Sequence, residues 1–384
     1  MKKKVNIAII GAGASGLMFA TLFEDKNILI IDNNIKVGSK VLISGGGKCN
    51  ITNGEVKSNN YLGNQRFIRN IIKRFDQNDL LSWFRGRGLN LVTRKNNQYF
   101  CKNSAKDVVD ILKKEISSKN IQLQTTVLGV EKKLDSFEVK TSQGIIVAKN
   151  VVVASGGLSF PKIGATSIGY DIAKSFDHTI NTLSAGLVGF TVQPEQFFFK
   201  SLSGIAIDVK IIVENEDIKK EIDGALLFAH KGISGPAVLD ASLYWKKGKI
   251  TIDFLPTLSI DSLKLSKKNI SRTLGLPSRV AKTFLEQLNL EDKTANRLSS
   301  DEWKKIEKLK AYSFAPAGTF GYSKAEVTKG GVSTDEVDAS SMMSRKVEGL
   351  YFLGEVLDVT GELGGYNFQW AFSTAYVCAK SLNK

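Results

Sequence analysis

Apolar positions along the chain follow two rhythms, and the alternation between them predicts the layout. Val5 to Ile10 is a continuous apolar run, the pattern of a parallel strand buried on both faces. A helix over about Ser15 to Phe23 and a second buried strand, Ile28 to Ile31, complete a βαβ unit of nucleotide-binding size. Asn33 to Asn64 then shows little periodicity, and a structureless loop of that length usually carries function. Helical spacing returns over Arg66 to Arg87 and over Ala105 to Lys119. In the second of these Ser104 is placed as N-cap, and Val108, Val109, Leu112 and Ile116 share a face. Gln122 to Ala148 alternates as a meander of strands, and Val151 to Ala154 reads as a further short buried strand.

Beyond Ser184 the pattern is β-rich, with strands at Ile205 to Val213 and Ile250 to Phe254; from Pro256 to Leu309 it becomes helical. Gly349 to Lys384 returns to strand (Leu350 to Leu353), Gly-rich turn and helix (Asn367 to Leu382). The expected fold is α/β, with a Rossmann-type domain over 1–183 and 325–384 that is interrupted by other domains. A β-rich substrate domain is expected over 184–255 and 310–324, and a helical insertion over 256–309. At 384 residues the chain exceeds what one simple core supports.

Thirty-four glycines against six prolines point to tight turns and close backbone approach. The formal charge of +15 admits a nucleic-acid partner, but lysines such as Lys106, Lys113, Lys114 and Lys119 are spread along helices. No Arg/aromatic block stands out along the sequence, so nucleic acid is set aside as a partner in favour of a small-molecule substrate. Cys49, Cys101 and Cys378 lie far apart without C-x-x-C spacing, which excludes a dithiol of sequence neighbours and the usual zinc clusters; no metal is expected. The opening Met1-Lys2-Lys3-Lys4 imitates a signal peptide, but Gly11, Gly13 and Gly16 interrupt the apolar run. No stretch reaches the roughly 18 apolar residues of a membrane span. A cytoplasmic protein is expected, and the oligomeric state is left open.

Gly11-Ala12-Gly13-Ala14-Ser15-Gly16 has the G-x-G-x-x-G spacing, follows a buried strand, opens a helix and precedes Asp32. In that order Gly11 makes the turn, Gly13 admits a pyrophosphate, Gly16 allows helix and strand to pack, and Asp32 accepts ribose hydroxyls. The acidic residue selects an unphosphorylated adenosine, that of FAD or NAD. Gly38 to Asn50, with Lys40, Ser44, Gly45, Lys48 and Cys49, lies where a loop follows the cofactor in flavoproteins of the glutathione-reductase type. A third segment, Gly354-Glu355-Val356-Leu357-Asp358 and then Gly364 to Gln369, offers carboxylates to a ribityl chain. Its Gly-Gly turn aims N–H groups at the charge that develops on a reduced flavin. FAD is the cofactor these three features select. His230, before Ser234-Gly235-Pro236, is the one candidate proton donor, with a structural histidine as the alternative. Cys49 reads as a packed thiol or a redox thiol, and His178 as structural.

The motifs Ser44 to Asn53 (S-G-G-G-K-C-N-I-T-N), Ala154 to Gly157 (A-S-G-G), His230 to Pro236, Val327 to Val332 and Gly354 to Gln369 follow the first turn in order. The set resembles the bacterial family of aminoacetone-oxidase-like or dehydro-bile-acid-reductase-like NAD(P)/FAD-dependent oxidoreductases. That resemblance implies a glutathione-reductase-type FAD domain, an inserted β-barrel-like domain and a small helical domain. It implies FAD contacts at Gly11, Gly13, Ala14, Ser15, Gly16 and Asp32, and at Lys40, Ser44 and Gly45. It extends them to Val127, Ala154 and Gly156, then to Gly354, Glu355, Gly365, Asn367 and Phe368. Gly164 to Tyr170 departs from the family's G-S-T-G-D-G-Y by lacking an acidic residue. The function expected is hydride transfer between a small-molecule substrate, or NAD(P)H as a transient electron donor, and non-covalent FAD. A tRNA-modifying flavoprotein and a FAD-holding regulatory protein without turnover are the rivals.

Overall fold

The structure, a computed structural model, describes residues 3–116, 119–216 and 218–383, and the chain forms two compact units. The first unit joins Met1–Ala185 with Glu326–Lys384, and the second is Gly186–Ala325.

The first unit begins with β1 (Lys3–Ile10), α1 (Ala14–Leu22), β2 (Ile28–Ile31), α2 (Ser39–Gly47), β3 (Asn50–Asn53) and β4 (Tyr61–Leu62). Then follow α3 (Gln65–Ile72), α4 (Gln77–Arg85), β5 (Leu91–Thr93), β6 (Gln98–Cys101) and α5 (Lys106–Glu115). The run closes with β7 (Asn120–Gln122), β8 (Val127–Lys132), β9 (Phe137–Thr141), β10 (Gly144–Val153), α6 (Ile168–Ser175) and β11 (Ile180–Gly186). In the second unit come β12 (Phe190–Thr191), β13 (Ala206–Glu214), β14 (Lys219–Ala229), β15 (Gly232–Ser234), α7 (Pro236–Tyr244) and β16 (Ile250–Asp253). It continues with α8 (Ile260–Lys264), α9 (Ile270–Thr273), α10 (Ser278–Gln287), α11 (Ser300–Glu307), β17 (Tyr312–Phe314) and β18 (Gly318–Thr319). The chain then returns to the first unit with β19 (Val327–Val332), β20 (Leu350–Phe352), β21 (Thr360–Gly361) and α12 (Tyr366–Leu382).

The main sheet of the first unit runs β7-β2-β1-β10-β9-β8, with β20 also on β10. β7, β2, β1, β10 and β20 are mutually parallel. The apolar runs of β1, β2, β20 and the second half of β10 are buried on both faces, as the continuous pattern requires, while β7 is a partly exposed edge strand. β10 is a single long strand: Gly144–Ala148 pairs antiparallel with β9 while Val151–Val153 pairs parallel with β20. The short strand read at Val151 to Ala154 is therefore the second half of the meander's last strand. Only Lys149 and Asn150 separate the two halves in sequence, and they break the apolar pattern without breaking the strand.

Asn33 to Asn64, read as structureless, instead contains α2, β3 and β4. Its glycines and polar residues hide these elements because Ser44 to Gly47 leave the helical conformation, three of them with positive φ. Arg66 to Arg87 divides into α3 and α4 because Asp76 caps α4, its Oδ1 accepting from Asn78 N at 2.7 Å and Asp79 N at 3.0 Å. The helix read to Lys119 ends at Glu115, and Ser117 and Ser118 lie outside the described residues. Ser104 does serve its start, accepting from Lys106 N at 3.1 Å.

In the second unit β17-β16-β13-β14-β15-β12-β18 form one antiparallel sheet. The helices of 256–309 belong to the same compact unit, where Phe284 of α10 packs 4.8 Å from Phe254 at the end of β16. Among the described residues no helix is long and apolar enough to cross a membrane.

Candidate functional site

Strand β1 ends at Ile10, and the chain turns at Gly11 with φ +108°, a conformation other residues rarely adopt. A Cβ on Gly11 would stand 2.4 Å from the Ala154 carbonyl oxygen, and one on Gly16 would stand 2.1 Å from the Gly11 carbonyl oxygen. These two glycines let α1 press onto the ends of β1 and β10. Gly13 is different. Its φ of −84° suits any residue, and a Cβ there would meet nothing within 4 Å. No neighbour in the protein requires glycine at this position. Gly13 is also the N-cap of α1, and no side chain caps that helix. The N–H groups of Ala14, Ser15 and Gly16 thus form a row of backbone donors at a positive helix end, the arrangement that takes a diphosphate.

Asp32, just past β2, accepts from Ala12 N (2.7 Å) through one carboxylate oxygen and from Asn34 N (2.8 Å) through the other. It therefore splints the glycine turn and keeps one lone pair on each oxygen for a ligand. The 122–125 turn bonds back to the same place, with Thr125 N on Asp32 O and Gln124 N on Asn34 O, and Val127 begins β8 two residues later.

The other predicted residues converge through two connections. Lys40 of α2 forms a 2.7 Å ion pair with Glu355, which follows β20. Glu355 also accepts from Thr328 N at 2.9 Å and faces Gly156 and Gly157. Thr328, which the sequence analysis left without a role, accepts in turn from Leu158 N at 2.8 Å and Ser159 N at 3.2 Å. Gly354 is pinned to α12: its N–H donates to Thr374 Oγ1 (3.0 Å) and its carbonyl accepts from Trp370 Nε1 (3.2 Å). One turn along α12 the buried Gln369 accepts from Thr52 Oγ1 at 2.6 Å and donates to Phe75 O at 3.1 Å, which fixes the helix to β3. Thr52, Gln369, Trp370 and Thr374 hold the site and were not singled out in the sequence. Polar residues inside an otherwise apolar helical run were the available signal.

The N-terminus of α12 is formed by Gly365, at φ +96°, where a Cβ would be 2.6 Å from the Thr52 backbone. Asn367 exchanges two hydrogen bonds with Gly361, at 2.9 and 2.8 Å, so its amide shapes this turn. Phe368 is half-buried against Phe372.

Several expectations change. Lys48 is held by the carbonyls of Lys102 and Asn103, so its ammonium stabilises that loop and is not available to a phosphate. Ser44 Oγ donates to Val41 O at 2.7 Å, capping the helical part of α2. Cys49 and Cys101, 52 residues apart, are side by side: the fold supplies the neighbour that spacing did not. Burial pushes the Cys49 thiol well up, which keeps it protonated and marks it as packed. His230 is exposed on the turn between β14 and β15 in the second unit. His178 is buried, bonded to Glu336 (3.1 Å) and Ser344 (2.8 Å), and burial lowers its pKa; it is structural.

The profile described as HI0933-like protein Rossmann domain matches residues 5–381. The chain is 38% identical over 396 residues to the ribosomal RNA dihydrouridine synthase of Escherichia coli, covering 99% of this chain and 98% of that one. It is 29% identical over 403 residues to the 3-dehydro-bile acid delta(4,6)-reductase of Clostridium scindens, covering 98% of each. A solved quinol-fumarate reductase shares the fold, with a TM-score of 0.53 and 13% identity, over 100% of this chain and 71% of that one.

Proposed function

The chain belongs to the HI0933-like Rossmann-domain family, and from that membership we propose that it is a FAD-dependent reductase acting on uridine in ribosomal RNA. The observation that carries the cofactor is Gly13, a glycine no protein neighbour requires, at the uncapped end of α1 beside Asp32. The observation that carries the substrate is 38% identity along the whole chain to a ribosomal RNA dihydrouridine synthase, supported by the +15 charge.

FAD, when bound and reduced by a nicotinamide donor, would supply the hydride chemistry that saturates a uracil C5=C6 bond. The chain's own part is positioning. The α1 donors and the Gly11–Gly16 turn seat the diphosphate. Asp32, held by Ala12 and Asn34, offers its remaining lone pairs to ribose hydroxyls. The Lys40–Glu355 pair fixes α2 against the segment after β20 and places a carboxylate for ribityl hydroxyls. The uncapped α12 N-terminus would offer backbone donors to a partial negative charge on a bound flavin, and electrostatic stabilisation of that kind is a large part of catalysis.

A second reading keeps the chemistry and changes the substrate: a small conjugated alkene, favoured by the 29% identity to a bile-acid reductase. The test is to purify the protein, record its flavin spectrum and reduce it anaerobically with NADPH or NADH. Unmodified ribosomal RNA is then added and its nucleosides are analysed by mass spectrometry. Dihydrouridine in the RNA together with flavin reoxidation is the expected result. Reducible flavin with no change in the RNA would overturn the RNA reading and direct attention to small alkenes.

A further inference from the structure

The chain holds ten arginines, and six of them (Arg66, Arg69, Arg74, Arg85, Arg87, Arg94) fall between residues 66 and 94. With Lys73 and Lys95 they make eight cations against two carboxylates over 65–100, and all eight are exposed. The carboxylates are turned away from them. Asp76 and Asp79 form the capping box of α4, bonding one another's backbone N–H. Arg87 pairs with Glu115 at 3.1 Å. Among the described residues Arg66, Arg69, Lys73, Arg85, Arg94 and Lys95 have no carboxylate within ion-pair distance.

Three of these arginines lie against aromatic rings. Arg87 is 3.9 Å from the Trp83 ring centre, Arg94 is 4.3 Å from that of Phe100, and Arg85 is 5.7 Å from that of Tyr99. The arginines and rings of this block are close in sequence, contrary to the expectation that none stands out, and α4 and the β5–β6 hairpin add the contact of Arg85 with Tyr99. The tip of that hairpin is held: Gly54 N bonds Asn97 O at 2.8 Å and Asn53 Nδ2 bonds Asn96 O at 3.0 Å. Arg94 and Lys95 are therefore presented from a fixed support. The patch also adjoins the cofactor loop, since Phe100 lies 3.0 Å from the Cβ position of Gly45, and α3 and α4 both pack on α12.

We propose that α4 and the β5–β6 hairpin, extended by α3, form a docking surface for single-stranded or looped RNA on the flavin-binding unit. The proposal rests on the RNA reading above. Guanidinium groups match phosphate oxygens in pairs and stack on bases, a use that scattered lysines do not serve as well. Half-buried Trp83 and Tyr99 add flat apolar area on which unpaired bases stack.

The test uses the flavin-loaded protein, a fluorescein-labelled oligouridylate and protein-free ribosomal RNA. Three proteins are compared: wild type, Arg85→Gln/Arg94→Gln/Lys95→Gln, and a charge-matched control, Lys26→Gln/Lys113→Gln/Lys114→Gln. Retention of the bound-flavin spectrum reports that each variant folds. The expected result is at least a tenfold weaker Kd for the patch variant and less than a twofold change for the control. The slope of log affinity against log salt should fall by about 2, near 0.7 for each of three lost phosphate contacts on a single strand. Equal losses in the two variants would overturn the proposal in favour of diffuse charge. Wild-type RNA affinity in the patch variant, with lost binding of an acidic protein, would assign the surface to a protein partner. If wild type makes dihydrouridine and the patch variant does so equally, the surface assignment alone falls. A wild type that neither binds nor modifies RNA removes the reading beneath it.

Discussion

The turn that opens α1 and the turn that opens α12 look alike: each puts a glycine at the N-cap of a helix that no side chain caps. They need glycine for different reasons. At Gly365 the protein itself demands it, through a φ of +96° and a Thr52 backbone 2.6 Å from any Cβ. At Gly13 the protein demands nothing: a Cβ there would meet no atom within 4 Å. The first turn contains both kinds, since Gly11 is as constrained as Gly365. A glycine motif therefore mixes positions that fold the chain with positions that bind, and only the surroundings of each glycine separate them.

Substitutions can break this distinction, and Gly11→Ala should have the largest effect. It combines left-handed strain of roughly 1–2 kcal/mol with a backbone clash of roughly 1–3 kcal/mol. The expected outcome is loss of folded protein, read by circular dichroism and thermal unfolding. Gly365→Ala meets the same two penalties at a helix end. It should lower stability by roughly 2–4 kcal/mol and release flavin even where the chain remains folded, measured as flavin-to-protein absorbance ratio against urea midpoint. Thr374→Val removes the acceptor for the buried Gly354 N–H. Leaving that donor unpaired should cost about 1–3 kcal/mol, and a midpoint unchanged in urea would show that α12 does not anchor Gly354. Gly13→Ala should have the smallest effect on the apoprotein, within about 0.5 kcal/mol of wild type, while abolishing the rise in Tm that added FAD gives wild type. If its apoprotein were as destabilised as that of Gly11→Ala, the contrast between the turns would be lost.

Features that rest on local patterns were legible in the sequence. β1, α1, β2 and Asp32 are fixed by apolar runs, a glycine spacing and one acidic residue within 32 positions, and the structure keeps that order. Leu350 to Leu353 and the helix after it, in the part of the chain that belongs to the first unit, repeat the strand–turn–helix pattern of the start. What escaped depends on partners distant in sequence. Lys40 and Glu355 could each be suspected, but their pairing across 315 positions could not. Lys48 looked free because the carbonyls that hold it come from beyond β6. The cysteine pair and the Arg85–Tyr99 contact appear only when β3, α4 and the β5–β6 hairpin are packed together, whereas the run of arginines from Arg66 to Arg94 was visible in the sequence and was passed over. α2 was hidden for another reason: three left-handed glycines at its end obscure its short helical pattern.

The bonds from α12 to Gly354, Thr52 and Phe75 also bear on how the protein is made. The ribosome delivers Gly16 about 350 residues before Tyr366, an interval on the order of half a minute at ordinary translation speeds. Through that interval the opening turn, its strands and Asp32 are present without the helix that completes them. A ribosome stalled anywhere in the second unit leaves a product without α12, in which Thr52 and Phe75 lack the partner that holds them in the finished protein.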